Sequence, residues 1–118
     1  GGKMGQIKGQ RKGLSVWNVG DKEYHRLYDT VIVDFNHDSE GRTVTLNTGG
    51  WKTNHTKNCM NDFLRRFGFG VYQKDFVWYV RGREVSFSFD VDKVTFTIID
   101  TPMGLQIGNF REEVIRSA

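Results

Sequence analysis

A small α+β domain, with one helix lying across one face of an antiparallel sheet, is what this sequence predicts. Only residues 54–67 show helical apolar periodicity. At about 100° per residue, Cys59, Met60, Phe63, Leu64 and Phe67 fall on one side. Segments of alternating apolar and polar residues stand before and after that stretch, the pattern of half-buried strands. The 118 residues include nine Phe, three Trp and four Tyr, enough for one core. A helix with one apolar face and a sheet with one face to cover suggest a two-layer sandwich. The expected order is β-β-α-β-β-β with a short C-terminal helix. The expected division is a flexible basic arm over 1–13 and a single domain over 14–118.

Residues 4–13 are rich in Gly, Lys and Arg, and Lys8, Arg11 and Lys12 suit phosphate contact. Leu14, Val16 and Trp17 form a short segment expected to dock through Trp17. Residues 24–35 contain the first strand, where Val31, Val33 and Phe35 alternate with Thr30, Ile32 and Asp34. Asn36-His37-Asp38-Ser39-Glu40-Gly41 is read as a hairpin loop of roughly five or six residues. Residues 42–47 are the second strand, with Val44 and Leu46 on one face. Gly49-Gly50 breaks the strand and leads into the helix.

Thr53, Asn54 or Thr56 can cap the helix, and Gly68 suits its left-handed C-terminal position. Arg65 and Arg66 fall in the last turn, where the dipole favours cations. Beyond it, residues 71–73, 77–80, 85–89 and 94–98 read as a meander with a tight turn at Lys74-Asp75. Asn109, followed three residues later by Glu112, resembles a capping box, with Phe110, Val114 and Ile115 as the apolar side of a last helix.

The net charge is +3, unevenly spread. Residues 1–22 carry five Lys/Arg and one acid, and residues 51–83 carry seven and two. Residues 23–50 carry two and five, and residues 84–118 three and six. The two basic blocks make a footprint for a polyanion, and a solvated surface of mixed sign is the bland alternative. One Cys allows no internal disulfide and fits a reducing compartment. No apolar run approaches about 18 residues, so no membrane span is expected.

Catalytic signatures are missing: no Gly-x-Ser-x-Gly, no phosphate-binding glycine loop, no paired-carboxylate motif. His37-Asp38 with Glu40 can be drawn as an acid–base cluster, but it falls in a polar turn. His55 and Cys59 are four residues apart on the helix, yet a closed zinc site needs two further ligands. The expectation is a protein with no metal, no cofactor and no enzymatic activity.

The most specific idea is nucleic-acid binding. Asn54, Lys57, Asn58, Asn61 and Arg65 share the outer side of the helix, Trp51 and Lys52 stand at its start, and Arg81 follows with Lys74 and Arg83. Asn pairs with adenine, Arg with guanine, and Lys meets phosphate. Three Asn in a helix are poor helix formers, which calls for a reason. Tyr72, Trp78 and Tyr79 offer an alternative stacking surface for bases. Core or hairpin packing is the competing reading of Trp51, Phe76 and Trp78.

The string Thr45-Leu46-Asn47-Thr48-Gly49-Gly50-Trp51, with Thr53, Thr56-Lys57, Met60-Asn61, Val71-Tyr72-Gln73-Lys74 and Trp78-Tyr79-Val80, resembles small uncharacterised proteins of tailed bacteriophages. The resemblance covers roughly residues 28–90 and carries no biochemical activity. It implies a phage protein acting in the host bacterial cytoplasm. In that setting a second class of partner is a host protein, a defence component or polymerase subunit, inhibited through an aromatic patch of Trp51, Trp78 and Tyr79 with nearby basic residues. The sequence neither supports nor excludes a small-molecule pocket.

Overall fold

A computed structural model describes residues 11–113. Four strands come first: β1 (Leu14–Val19), β2 (Lys22–Leu27), β3 (Thr30–Asp38) and β4 (Gly41–Asn47). Helix α1 (Asn54–Leu64) follows and runs into a 3-10 turn over Arg65–Phe67. Five strands complete the order: β5 (Gly70–Lys74), β6 (Val77–Arg81), β7 (Ser86–Phe89), β8 (Lys93–Thr101) and β9 (Gly104–Glu113).

The fold is α+β and antiparallel, but it has two sheets where the sequence suggests one. The larger runs β1-β2-β3-β4-β8-β9, and the smaller runs β5-β6-β7. Strand β8 pairs with β4, so α1 and the small sheet form an excursion between two neighbouring strands of the large one. Both layers feed one core. Phe63 of α1 is fully buried, with its ring 5.2 Å from Phe35 on β3 and 5.1 Å from His25 on β2. Val71, Trp78, Val80 and Phe89 add the inner face of the small sheet, and Phe87 stacks on Phe110 of β9 at 4.7 Å.

Helix α1 starts and stops as its residues dictate. Thr53 is the N-cap, its side chain accepting from the Thr56 backbone N–H. Gly68 takes φ 79° after the 3-10 turn, a left-handed conformation that costs glycine little. Cys59, Met60, Phe63 and Leu64 are buried as expected. Phe67 is only partly buried, because the tightened last turn carries it to the rim of the core.

Four local expectations are corrected. Residues 14–27 form a full hairpin in front of the expected first strand. Its outer strand buries only Leu14, so its apolar alternation is weak, and Trp17 instead stacks on Tyr24 at 5.4 Å on the exposed side. The loop at residues 36–41 shrinks to Ser39-Glu40, because Asp38 pairs with Gly41 and the Asp38 carboxylate accepts from the Glu40 N–H at 2.8 Å.

The turn at Lys74 shifts by one residue. Lys74 pairs with Val77, and Asp75 and Phe76 are the two central residues with φ 51° and 68°, the positive pair of a type I′ hairpin. The expected C-terminal helix is also replaced, since residues 109–113 belong to β9. Asn109 takes φ 51° where β9 bulges against β8, with the register shifting between Thr95 and Thr97. Glu112 does not reach back to Asn109. It accepts from the Asp90 N–H at 2.8 Å, and Phe110 is held against Phe87 and Phe96. Val114 and Ile115 lie outside the described residues. So does the arm as far as residue 10, while Arg11 pairs with Asp62 at 3.0 Å and the Lys12 carbonyl accepts from His55.

Candidate nucleic-acid interface

The Thr48-Gly49-Gly50-Trp51 segment is first of all a structural turn. Thr48 is buried, its hydroxyl donating to Asp92 at 2.8 Å and accepting from the Gly50 N–H. Its carbonyl accepts from the Trp51 N–H and its own N–H donates to the Asp92 carbonyl. The string thus fastens the α1 entrance to the loop between the two sheets. Trp51 is the exception: its side chain is 67% exposed.

Among the sequence-predicted residues, the fold makes two groups. Trp51, Lys52 and Asn54 stand at the N-terminal end of α1, where Lys52 donates to the Asp90 carbonyl at 3.1 Å. Asn61, Arg65 and Arg81 meet at the C-terminal end, lining one groove of about 290 Å3 with Gly70 and Tyr72. Eleven helical residues, roughly 16 Å of axis, separate the two ends. Asn58 is exposed between them.

Asn61 does not face outward as a base reader. Its side-chain oxygen accepts from the Val71 N–H at 2.6 Å, and its side-chain nitrogen donates to the Val71 carbonyl at 3.1 Å. A primary amide presents the same donor–acceptor pair as a peptide group, so Asn61 acts as a one-residue strand on the open edge of β5. That explains one of the three helix-weakening asparagines. Lys57 is also partly engaged: its ammonium donates to Gln73 at 3.1 Å and lies 5.3 Å from the Trp78 ring centre. Trp78 is buried, so neither the stacking role nor the Trp51–Trp78–Tyr79 patch read from the sequence can include it.

What the sequence only half discloses is the outer face of the small sheet. Strand alternation sends Val71, Trp78 and Val80 inward and Tyr72, Lys74, Val77, Tyr79 and Arg81 outward. Tyr72 and Tyr79 are cross-strand partners stacked at 4.9 Å with their rings 10° apart. Ser86 and Ser88 of β7 continue that face beside Arg81 and Tyr79. Arg81 has no carboxylate partner among the described residues, and Arg65 is 3.8 Å from Asp62, which Arg11 already neutralises. Arg83 is not part of this face and packs over Gly104. The period-2 placement of tyrosines and cations was the available signal, and it required knowing which face of the meander is covered.

Other titratable groups serve the fold. Asp38 is held below the ordinary carboxylate range by the Glu40 backbone N–H and by Asn36, so its part in a His37-Asp38-Glu40 cluster is to close the turn. Cys59 is fully buried, burial pushes its thiol up, and His55 donates instead to the Lys12 carbonyl at 2.8 Å, so the two do not converge. No group of three potential metal ligands is found among the described residues.

Glu23 links Arg66, at 3.0 and 2.8 Å, with buried His25 at 2.6 Å. Burial lowers the His25 pKa below 6.5, with Glu23 opposing it only in part. Its Nδ1 is buried without a partner, so protonation there would leave an N–H unsatisfied. Burial works against ionised Glu23, but the hydrogen bonds from Arg66 and His25 outweigh it and lower its pKa below 4.5. The unfolded chain therefore takes up each proton at a higher pH than the folded chain, and both groups make acid destabilising. The melting temperature is expected to fall between about pH 7.5 and 5.5, where histidine titrates, and His25→Gln should flatten that dependence. An unchanged profile in His25→Gln would assign it elsewhere.

No helix among the described residues is long and apolar enough to cross a membrane. The fold and source together define a bacteriophage α+β protein with a basic, tyrosine-bearing sheet face. The chain belongs to the Kyanoviridae Gp96 protein family, whose model matches residues 15–97. The match extends past both ends of the 28–90 segment and takes in β1, β2 and the first half of β8. No curated protein and no solved structure matches the chain.

Proposed function

We propose that this phage protein is a non-enzymatic module that binds single-stranded nucleic acid in the host cytoplasm, on the outer face of β5-β6-β7. The observation that carries the reading is the half-buried Tyr72–Tyr79 pair, stacked at 4.9 Å on the outer sheet face beside the exposed Arg81 and Lys74. Bases stack on such aromatic platforms whatever their sequence, and flanking cations follow the backbone. Arg65 extends the positive track onto the end of α1, and Asn58, exposed further along the helix, offers an uncharged hydrogen-bonding amide. The platform favours a single strand over a duplex, whose bases are already stacked.

Fluorescence anisotropy with labelled single- and double-stranded oligonucleotides at about 50 mM salt is the test. Single strands should bind more tightly. Tyr79→Ala should weaken binding by about 1–3 kcal/mol, the usual worth of one stacked base. Tyr79 is half-buried and stacks on Tyr72, so the variant also loses a cross-strand pair worth about 0.2–1 kcal/mol, and binding is compared at a temperature where both proteins are folded. Absence of single-strand binding at that salt would refute the proposal and turn attention to a host protein as the partner of the same basic face.

A further inference from the structure

Two exposed apolar features remain outside that face. The first is Phe76, 94% exposed at the tip of the β5–β6 hairpin. Its φ of 68° is one that a bulky side chain adopts at a cost and that glycine takes freely. The turn therefore keeps an aromatic ring in water at a position where a smaller residue would be better for the fold. Such an outlier points to a role outside folding.

The second is an open cleft of about 410 Å3 between the β2–β3 turn and the start of α1. Leu27 and Ile32 form its floor, and Tyr28 and Trp51 stand at its mouth, 57% and 67% exposed. The Tyr28 backbone is also held at an unfavourable φ, 53°, with its N–H donating to the Gly13 carbonyl. A Cβ at position 13 would collide with the Tyr28 ring, so Gly13 is what lets that ring lie where it does.

We propose that Phe76 of one molecule seats in the Tyr28–Trp51 cleft of a second copy, giving head-to-tail self-association. A single interface then accounts for both features. Charge agrees with it: the hairpin tip carries Lys74 and Asp75, while the cleft carries Asp29 at its mouth and the chain beside it Lys12 and Lys52. The interface is heterologous, since knob and cleft are different surfaces of the chain. It therefore closes into a ring or continues as an open string according to the rotation between copies. A hairpin tip buries little area, so the association is at the weak end of specific interfaces. It does not rest on nucleic-acid binding: Phe76 and the cleft lie apart from Tyr72 and Tyr79, Lys74 is the one residue the two surfaces share, and sedimentation without nucleic acid reads association alone.

The test is sedimentation velocity on the full chain from about 10 μM to 1 mM, a range suited to weak association. The wild-type mass should rise above the 13.6 kDa monomer with concentration. Phe76→Gly and Trp51→Ala should each remain monomeric, with melting temperatures not lowered, because both side chains are exposed. Mixing the two should restore a species of twice the monomer mass, since one retains the cleft and the other the knob. Lys74→Glu should weaken association and combination with Asp29→Lys should recover it. A wild-type monomer at the highest concentration, association that survives Phe76→Gly, or a mixture that stays monomeric would overturn the proposal.

Discussion

Phe63→Ala is expected to remove about 3–5 kcal/mol of unfolding free energy, the range for truncating a buried aromatic ring. Phe63 has no exposed surface and joins the helix to the large sheet: its ring meets His25 and Phe35 on the sheet, and Phe67 at 5.4 Å just beyond α1. The Arg66 guanidinium lies 4.7 Å from its ring centre, so the truncation also loosens the Arg66–Glu23–His25 chain. His25 and Phe35 sit on strands held by ladder hydrogen bonds, which limits collapse into the space. Domains of this size have about 5–15 kcal/mol in total, so the variant should unfold at much lower urea. Phe67→Ala, at the rim, should cost clearly less. Equal losses in the two variants would contradict the placement of the core.

Asn61→Ala is the second large effect, expected to cost about 2 kcal/mol because it leaves the Val71 N–H and carbonyl without partners. Val71 is buried, so water replaces the amide poorly. Asn58→Ala, one helical turn away and exposed, should stay within about 0.5 kcal/mol of wild type. Urea titration of both variants separates the roles of two asparagines that look alike in the sequence. A neutral Asn61→Ala would mean that β5 needs no covering of its edge. Because the amide covers that edge, Asn61→Ala should also aggregate more readily than wild type, which light scattering can follow.

The central helix, its cap, its stop and its buried side were legible because each is a local signal: apolar spacing at residues 59–64, Thr53 before the first turn, Gly68 after the last. The β3–β4 and β5–β6 hairpins were legible by alternation. Strand β1 was not, because an edge strand that buries Leu14 alone leaves almost no pattern. The end of β9 misled for the opposite reason. Asn109 and Glu112 have capping-box spacing, and only the β8 partner decides that Asn109 serves a bulge. Nothing local separates one sheet from two, since the split depends on β8 returning to β4 across the excursion.

The candidate site shows the same division. Charge and residue type drew attention to residues 51–83, and within them Arg65 and Arg81 share a groove although sixteen positions apart in sequence. Helical projection put Asn61 and Lys57 on an outer face, but it could not reveal that β5 runs beside that face and takes up both side chains. The tyrosines of the small sheet were visible as residues. Their pairing on the uncovered side, and the burial of Trp78 on the other, follow only from the register of β5 with β6.

The most direct test of binding at the sheet face is the salt dependence of single-strand affinity, measured by anisotropy from about 50 to 200 mM salt for wild type and for Arg65→Ala/Arg81→Ala. Removing a cation that meets one phosphate lowers the slope of log affinity against log salt by about one unit. A steep wild-type slope is therefore expected, falling by about two units in the double variant, with the melting temperature unchanged because both arginines are exposed. Binding by both proteins with the same slope would contradict the sheet-face site, since the phosphates would then be held on another surface.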